Sequence, residues 1–292
     1  MKIQLAEHYG LCFGVRDAIA QAEQLAASGP LTILGELVHN PVVRDRLTAL
    51  GVQEGQLGNP GSATTPNVMI TAHGASDHAK QRWAASGATV ADGTCPLVRH
   101  AHTQLRLLVE AGCQPIVIGK RDHVEVNGLT GDFPSAFVLE HLNQITDIPP
   151  ATRYGVISQT TQPIDHVQSL VRAIREHFPK SEVIFRDTVC QPTKNRQTAL
   201  RKLLSECDTL IVVGGHNSNN TLQLVAAGMA AGLSVHHIER SEELQVGWFL
   251  TSQNVGLTAG TSTLKETVAS VHEKLKEIAR GTEPQALIEK AA

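Results

Sequence analysis

Three cysteines of this chain stand where a sulfur ligand would be useful. Cys12, Cys95 and Cys190 each fall between an apolar run and a stretch of helical pattern, and each lies about a third of the chain from the next. A thiolate at a helix start is stabilised by unpaired backbone N–H groups and by the helix dipole. Zinc sites commonly bring their ligands in close pairs such as C-x-x-C, and the chain has none. Three far-apart thiolates fit an iron–sulfur cluster in which one iron lacks a protein ligand and can act as a Lewis acid. The competing reading makes all three small buried apolar residues, and spacing alone does not separate the two. Cys113, between a helix and a strand, and Cys207, near a helix end, read as packing residues.

A second group of residues suits an anion. Apolar runs are followed by G-E-L-V-H-N with His39 and Asn40, by T-A-H-G with His73, and by G-K-R-D-H-V-E with His123 and Glu125. Others lead into S-Q-T-T with Thr160 and Thr161, G-G-H-N-S-N-N-T with Ser218 and Asn220, and T-A-G-T-S-T with Ser262. Hydroxyls, amides and helix-start N–H groups make a diphosphate cradle. Neither G-x-G-x-x-G nor G-x-x-x-x-G-K-[ST] occurs, which disfavours a nucleotide. Each residue taken singly is better explained as a helix cap, and the argument for a shared pocket is their number. Histidine gives or takes a proton near neutral pH, and a glutamate shielded from water can hold one.

The elements that must position these groups follow from periodicity. Strands are expected at Ile3–Ala6, Leu31–Leu34, Val68–Thr71, Pro115–Ile118, Gly155–Ser158, Val183–Phe185, Leu210–Val213, Ser234–His237 and Val255–Leu257. Helices are expected at Val15–Ala27, His100–Ala111, Asp165–His177, Arg196–Leu204 and Thr263–Ala279, with surface loops at Gly55–Pro66 and Asn143–Thr152. This alternation predicts an α/β fold with parallel sheets. A faint repeat runs through it: Asp92-Gly-Thr-Cys95 and Asp187-Thr-Val-Cys190 both end a strand and open a helix, and His8-Tyr-Gly-Leu-Cys12 sits likewise. Three similar units would each present one cysteine from a strand end, where ligands of open α/β sheets gather. The expected division is 1–95, 96–190 and 191–282, with a mobile tail at 283–292.

Composition sets the outer bounds. At 292 residues the chain exceeds one ordinary domain. Aromatics are only 3% of it, so its cores must be built from Val, Ile, Leu and Ala, as suits buried parallel strands. A net charge of −3 gives no reason to expect nucleic acid or an anionic membrane as partner. No apolar run is long enough to span a membrane, and the first residues do not read as a signal peptide, so a cytoplasmic location is expected. There, five cysteines are expected to be reduced, catalytic or metal-bound.

The ordered motifs resemble those of the 4-hydroxy-3-methylbut-2-enyl diphosphate reductases, LytB-type iron–sulfur enzymes of the methylerythritol phosphate route to isoprenoids. The resemblance runs from Lys2 to about Leu275. It rests on G-L-C-F-G-V-R at Cys12, L-V-H-N at His39, T-A-H-G at His73, D-G-T-C-P-L-V at Cys95, H-V-E-V at His123 and S-Q-T-T at Thr160. It continues in D-T-V-C…N-R-Q at Cys190, V-V-G-G-H-N-S-N-N-T at Ser218 and T-A-G-T-S at Ser262. It implies three pseudo-repeated α/β domains in a trefoil around a central 4Fe–4S cluster ligated by Cys12, Cys95 and Cys190. It implies a diphosphate held by His39, His73, His123, Ser218, Asn219, Asn220 and Ser262, with Glu125 as proton source and Thr160 beside it. The implied reaction is a two-electron reductive dehydroxylation giving isopentenyl and dimethylallyl diphosphates, with a ferredoxin or flavodoxin as electron donor.

Several positions depart from the family pattern. Val124 replaces a usual Pro, Asn127 a usual acid and Asn219 a usual Ser, while Leu264 and Lys265 stand where Pro and an acid are common. These changes leave open a paralogue that uses the same cluster on another small substrate. A non-catalytic iron–sulfur sensor and a zinc-stabilised structural protein are the readings from other classes.

Overall fold

The structure is a computed structural model that describes residues 1–38 and 40–289, apart from the side chains of residue 219 and of residues 282–289. His39 and the end of the expected tail, 290–292, lie outside the described residues.

Strands and helices alternate along the chain. The first third holds β1 (Lys2–Leu5), α1 (Phe13–Ser28), β2 (Leu31–Leu34), α2 (Pro41–Ala49), β3 (Gln53–Gly55), β4 (Asn67–Ile70), α3 (Asp77–Ala85) and β5 (Thr89–Asp92). The middle holds α4 (Pro96–Glu110), β6 (Gln114–Ile118), α5 (Val124–Thr130), β7 (Phe137–Leu139), β8 (Arg153–Ser158), α6 (Ile164–His177) and β9 (Glu182–Phe185). The last third holds α7 (Gln191–Glu206), β10 (Thr209–Val213), α8 (Asn219–Ala230), β11 (Ser234–Ile238), β12 (Asn254–Ala259) and α9 (Lys265–Glu289). All nine expected strands are present. β3, β5 and β7 add to them, and α2, α3, α5 and α8 join the expected helices.

The strands form three four-stranded sheets, ordered β3-β2-β4-β5, β7-β6-β8-β9 and β11-β10-β12-β1, with every ladder parallel. Within each of the first two sheets the spatial order is second, first, third, fourth. The last sheet follows the same order when β1 is counted as its fourth strand. The N-terminal strand thus completes a sheet whose other members come 200 residues later, in register Lys2 with Asn254 and Leu5 with Leu257.

The repetition extends to single hydrogen bonds. The first strand of each sheet ends in a glycine whose N–H donates to the last carbonyl of the second strand: Gly35 to Gly55 at 2.8 Å, Gly119 to Leu139 at 3.1 Å and Gly214 to Ile238 at 2.9 Å. First and third strands are neighbours in every sheet, and in the first two sheets their connections leave in opposite directions. Their carboxyl ends are there topological switch points, where open α/β sheets bind ligands.

Both faces of the sheets are covered, as parallel sheets require. Ile116, Ile118, Tyr154 and Val156 point to the side of α6, where Val167, Leu170, Val171 and Ile174 complete a cluster. The alternate residues Val117 and Ile157 pack with Ala101, Leu105 and Leu108 of α4 and with Val126 and Leu129 of α5. In the last sheet Ile211, Val213, Val255 and Leu257 face Val268, Val271 and Leu275 of α9, while Leu210 and Val212 face Ala199, Leu200 and Leu203 of α7. Among the described residues no helix is long and apolar enough to cross a membrane.

The chain divides into two compact units, one of residues 1–13, 38–43 and 195–292, the other of residues 14–37 and 44–194. The first contains the β11-β10-β12-β1 sheet. The second contains the other two sheets, joined where α3 meets the end of α5. Gly131 makes that approach possible, since a Cβ there would lie 2.8 Å from the Ser76 Cβ. The Asp132 carboxylate accepts from the backbone N–H groups of Asp77 at 2.7 Å and His78 at 3.0 Å, and so caps α3 from across the junction. Ser76 caps the same helix through the Ala79 N–H at 3.2 Å. Replacing Asp132 by Ala strands two helix-start donors and is expected to cost about 1–2 kcal/mol. Asp132→Asn, which keeps one acceptor oxygen, should lose less, and urea unfolding of the two variants measures the difference.

Candidate active site

The cysteines take their places from the strand ends. Cys95 is the N-cap of α4, at φ −54° and ψ 134°, with Pro96 in the first helical position. Its N–H donates to the Ala72 carbonyl at 3.0 Å, and that of Cys190 donates to the Thr160 carbonyl at 2.9 Å. Each of these cysteines, following a fourth strand, is thereby tied to the loop after the neighbouring third strand. Gly14 lies so close to Cys95 that a Cβ on it would stand 2.4 Å from the sulfur, and Cys12 is two residues before that glycine in the chain. The turn before Cys12 is held from three directions. Gly10 N–H donates to Ala259 at 3.4 Å, Leu11 N–H donates to Thr263 at 3.0 Å, and Arg196 Nη2 donates to the Gly10 carbonyl at 2.6 Å. All three cysteines are partly accessible, and none is in a disulfide.

The donor set is three soft thiols, each standing between the fourth strand of a sheet and the start of a helix. Among the described residues no three His, Cys, Asp or Glu side chains gather closely enough for a single metal ion. Cysteine thiolates are the usual ligands of iron–sulfur clusters, and the donor chemistry of these three residues fits one. The other two cysteines behave as packing residues. Cys113 is buried in the cluster under α4. Burial and the neighbouring Asp208 and Glu206 push the Cys207 thiol up to about 11, and its Sγ lies 3.3 Å from the Gln4 side-chain amide.

Glu125 is the most chemically unusual group. It sits in the first turn of α5 and is 2% exposed. Its Oε1 accepts from the Thr160 N–H at 2.6 Å and its Oε2 from the Thr160 hydroxyl at 3.1 Å. Desolvation raises the carboxyl from its ordinary 4.5 to about 7, against the opposing pull of those two hydrogen bonds. His123 is the N-cap of α5, and its Nδ1 accepts from the Glu125 N–H at 3.1 Å. The neutral ring therefore carries its proton on Nε2. The ring of His73 meets that of His123 edge-on at 5.5 Å between centroids. The ends of β4, β6 and β8 thus bring together His73, His123, Glu125 and Thr160, with Cys190 one hydrogen bond beyond.

The remaining expected anion ligands belong to the other unit. Ser218 is buried and is the N-cap of α8, accepting from the Thr221 N–H at 3.4 Å. Asn220 Oδ1 accepts from the Thr261 N–H at 2.9 Å, which ties the start of α8 to the loop after β12. The carbonyl of buried Ser262 accepts from Asn40 Nδ2 at 2.7 Å. The side chain of Asn219 lies outside the described residues. Sequence reasoning passed over Gly14, Arg196 and the partners of Asp92 and Asp187. The N-R-Q motif contained Arg196, but nothing local tells that its guanidinium reaches Gly10.

The raised carboxyl has a consequence for stability. Glutamate in the unfolded chain ionises near 4.5 and in the folded chain at about 7. Folding is therefore unpenalised below pH 4.5 and increasingly penalised as pH rises through 7. Glu125→Gln has no proton to lose and retains both bonds to Thr160. Its stability relative to the parent is expected to increase between pH 5 and pH 8, by a few kcal/mol at most. Urea unfolding of both proteins at the two pH values tests this.

Comparison with known proteins places these features. The family model described as LytB protein matches residues 3–276. A curated 4-hydroxy-3-methylbut-2-enyl diphosphate reductase of Aquifex aeolicus (strain VF5) is 33% identical over 287 residues, covering 96% of this chain and 97% of its own. The enzyme of that name from Dehalococcoides mccartyi (strain ATCC BAA-2266 / KCTC 15142 / 195) is 34% identical, covering 97% and 100%. Among solved structures, the E-1-hydroxy-2-methyl-but-2-enyl-4-diphosphate reductase of Plasmodium falciparum superposes with a TM-score of 0.85 at 26% identity, over 92% of this chain and 86% of its own. A second, (E)-4-hydroxy-3-methyl-but-2-enyl diphosphate reductase, described as the terminal enzyme of the non-mevalonate pathway, superposes at 0.70 with 33% identity over 94% and 99%. With a family match over nearly its whole length and relatives above 30% identity, the chain belongs to the LytB protein family.

Proposed function

We propose that this protein is an iron–sulfur reductase that removes the hydroxyl group of 4-hydroxy-3-methylbut-2-enyl diphosphate, taking up two electrons and two protons to give water and isopentenyl or dimethylallyl diphosphate. Cys12, Cys95 and Cys190 hold a 4Fe–4S cluster. His39, His73, His123, Ser218, Asn219, Asn220 and Ser262 receive the diphosphate, and a ferredoxin or flavodoxin supplies the electrons. Bound by three thiolates, the cluster would supply electrons one at a time and a Lewis-acidic iron without a protein ligand.

The observation that carries this reading is the buried Glu125 carboxyl and its bonds to Thr160. Hydroxide is a poor leaving group, and a proton delivered to it lets it depart as water. A carboxyl raised to about 7 keeps a large fraction protonated at neutral pH. When Glu125 is protonated, its O–H donates to Thr160 Oγ1, which frees the threonine hydroxyl to donate onward. Thr160 N–H stays on Glu125 Oε1, so the pair keeps its alignment while the proton moves. His123, with its proton on Nε2, offers a donor for a phosphate oxygen, and His73 beside it extends the same face. Burial of the pair excludes bulk water, which would otherwise protonate a carbanionic intermediate without control.

Anaerobic protein reconstituted with iron and sulfide should convert 4-hydroxy-3-methylbut-2-enyl diphosphate to the two products with a chemical reductant. Glu125→Gln should retain the cluster absorbance and lose kcat by about 100-fold or more. A fully loaded cluster with no turnover of this substrate by the parent would move the protein to a different small substrate. Gly14→Ala drives a methyl group into the Cys95 sulfur and is expected to lower the iron retained per chain while far-ultraviolet circular dichroism stays unchanged.

A further inference from the structure

The two D-x-x-C sequences are built as the same device. Asp92 Oδ1 accepts from the Thr94 N–H at 3.0 Å, and Asp187 Oδ1 accepts from the Val189 N–H at 3.1 Å. In both, the receiving turn ends one residue before the cysteine, and Thr94 and Val189 are buried. The second carboxylate oxygen pairs with a base four residues after the cysteine: Arg99 Nη2 lies 3.3 Å from Asp92 Oδ2, and Lys194 Nζ lies 2.6 Å from Asp187 Oδ2. Arg99 grips its turn further, donating from Nε to the Thr94 carbonyl at 3.2 Å and from Nη2 to the Asp92 carbonyl at 3.1 Å. The Thr94 hydroxyl also donates to Asp92, and Lys80 Nζ lies 3.1 Å from its Oδ2.

The geometry brackets each cysteine on both sides. An Asx turn sets the backbone that enters the residue, and an ion pair sets the first turn of the helix that leaves it. Little backbone freedom is left at the cysteine, which fixes the place of its Cβ and narrows the directions open to its sulfur. Cys12 lacks the device. Tyr9 stands where the aspartate would be, the base at plus four, Arg16, pairs with Asp17 at 3.1 Å, and Arg196 holds the turn instead.

We propose that Asp92–Arg99 and Asp187–Lys194 are positioning clamps that aim the sulfurs of Cys95 and Cys190 and balance the charge around the cluster they hold, an inference that rests on the iron–sulfur reading above. As built, the Asp187–Lys194 pair is neutral overall. Removing its acid leaves a cation close to a ligating thiolate, and removing its base leaves an anion there. The potential of an iron–sulfur centre responds to such nearby charge. Asp187 and Lys194 are 47% and 27% exposed, so screening tempers the effect and low ionic strength shows it best.

The test uses the full chain, reconstituted anaerobically, with potentiometric titration followed by electron paramagnetic resonance. Asp187→Asn should raise the midpoint potential and Lys194→Met should lower it, and the double variant should return toward the parent. Asp187→Asn should also release iron to a chelator about tenfold faster, the effect of losing one structural hydrogen bond to a charged group. A turn that was merely loosened would move both single variants in the same direction. That outcome, or unchanged potentials and spectra in both, overturns the clamp. A parent chain that takes up no iron would overturn the cluster reading itself, before any variant is compared.

Discussion

One carboxyl group held out of water organises the strand ends of the larger unit. Ionised carboxylate is costly in a dry interior, and two hydrogen bonds from a single threonine offset only part of that cost. The folded chain therefore shares a proton with Glu125 near neutral pH, where an exposed glutamate would have lost it. Thr160 bears three duties at once. Its N–H and hydroxyl hold Glu125, and its carbonyl receives the Cys190 N–H. The start of α5, the end of β8 and the entry to α7 are thus mechanically coupled through one residue. A displacement of any of them is felt by the buried carboxyl and by the Cys190 backbone together.

The threefold pattern explains how so few aromatic residues suffice. Each sheet is parallel and uses the same strand order, so Val, Ile, Leu and Ala fill most of the cores, with Trp83, Tyr154 and Phe249 the few large rings among them. The scaffold is repeated while the chemistry at its strand ends differs. Two sheets of one unit carry His73, His123, Glu125 and Thr160 at or near their strand ends, and the sheet completed by β1 carries Ser218, Asn220 and Ser262 at its own. The departures at α5 read differently in this light. Val124 is exposed in the first helical position, where a proline would only have pre-set the backbone. Asn127 is exposed while Glu125 is buried, because residues two apart on a helix face different directions. An acid at that position would not border Glu125.

Capping and binding turn out to be compatible roles. Ser218 and His123 are both N-caps, as the cautious reading of each held. A cap uses one acceptor atom, and the serine hydroxyl and the imidazole each carry a donor besides. A cap at a switch point also places its residue beside the N–H groups of the helix start, which is where an anion is best received.

Much of this was legible before any coordinate. Apolar runs located nine strands, and the residue types after them named the strand ends that matter. Of the three further strands, β3 and β7 were left unseen and β5 was marked only by the strand end at Asp92; all three are edges. Gln53-Glu-Gly55 carries no apolar alternation, and Phe137–Leu139 is only three residues long. An edge is covered incompletely and so leaves a weak mark on composition. The helices left unseen, α2, α3, α5 and α8, are short, between 7 and 12 residues. Local sequence determined which side chains stand at which element ends, because periodicity and turn chemistry act over a few residues. Tertiary structure alone decided that β1 pairs with β12, that Arg196 reaches Gly10, that Gly14 abuts the Cys95 sulfur, and that Glu125 is dry enough to hold a proton. Each of these depends on contacts between segments distant in the chain and on the water those contacts exclude.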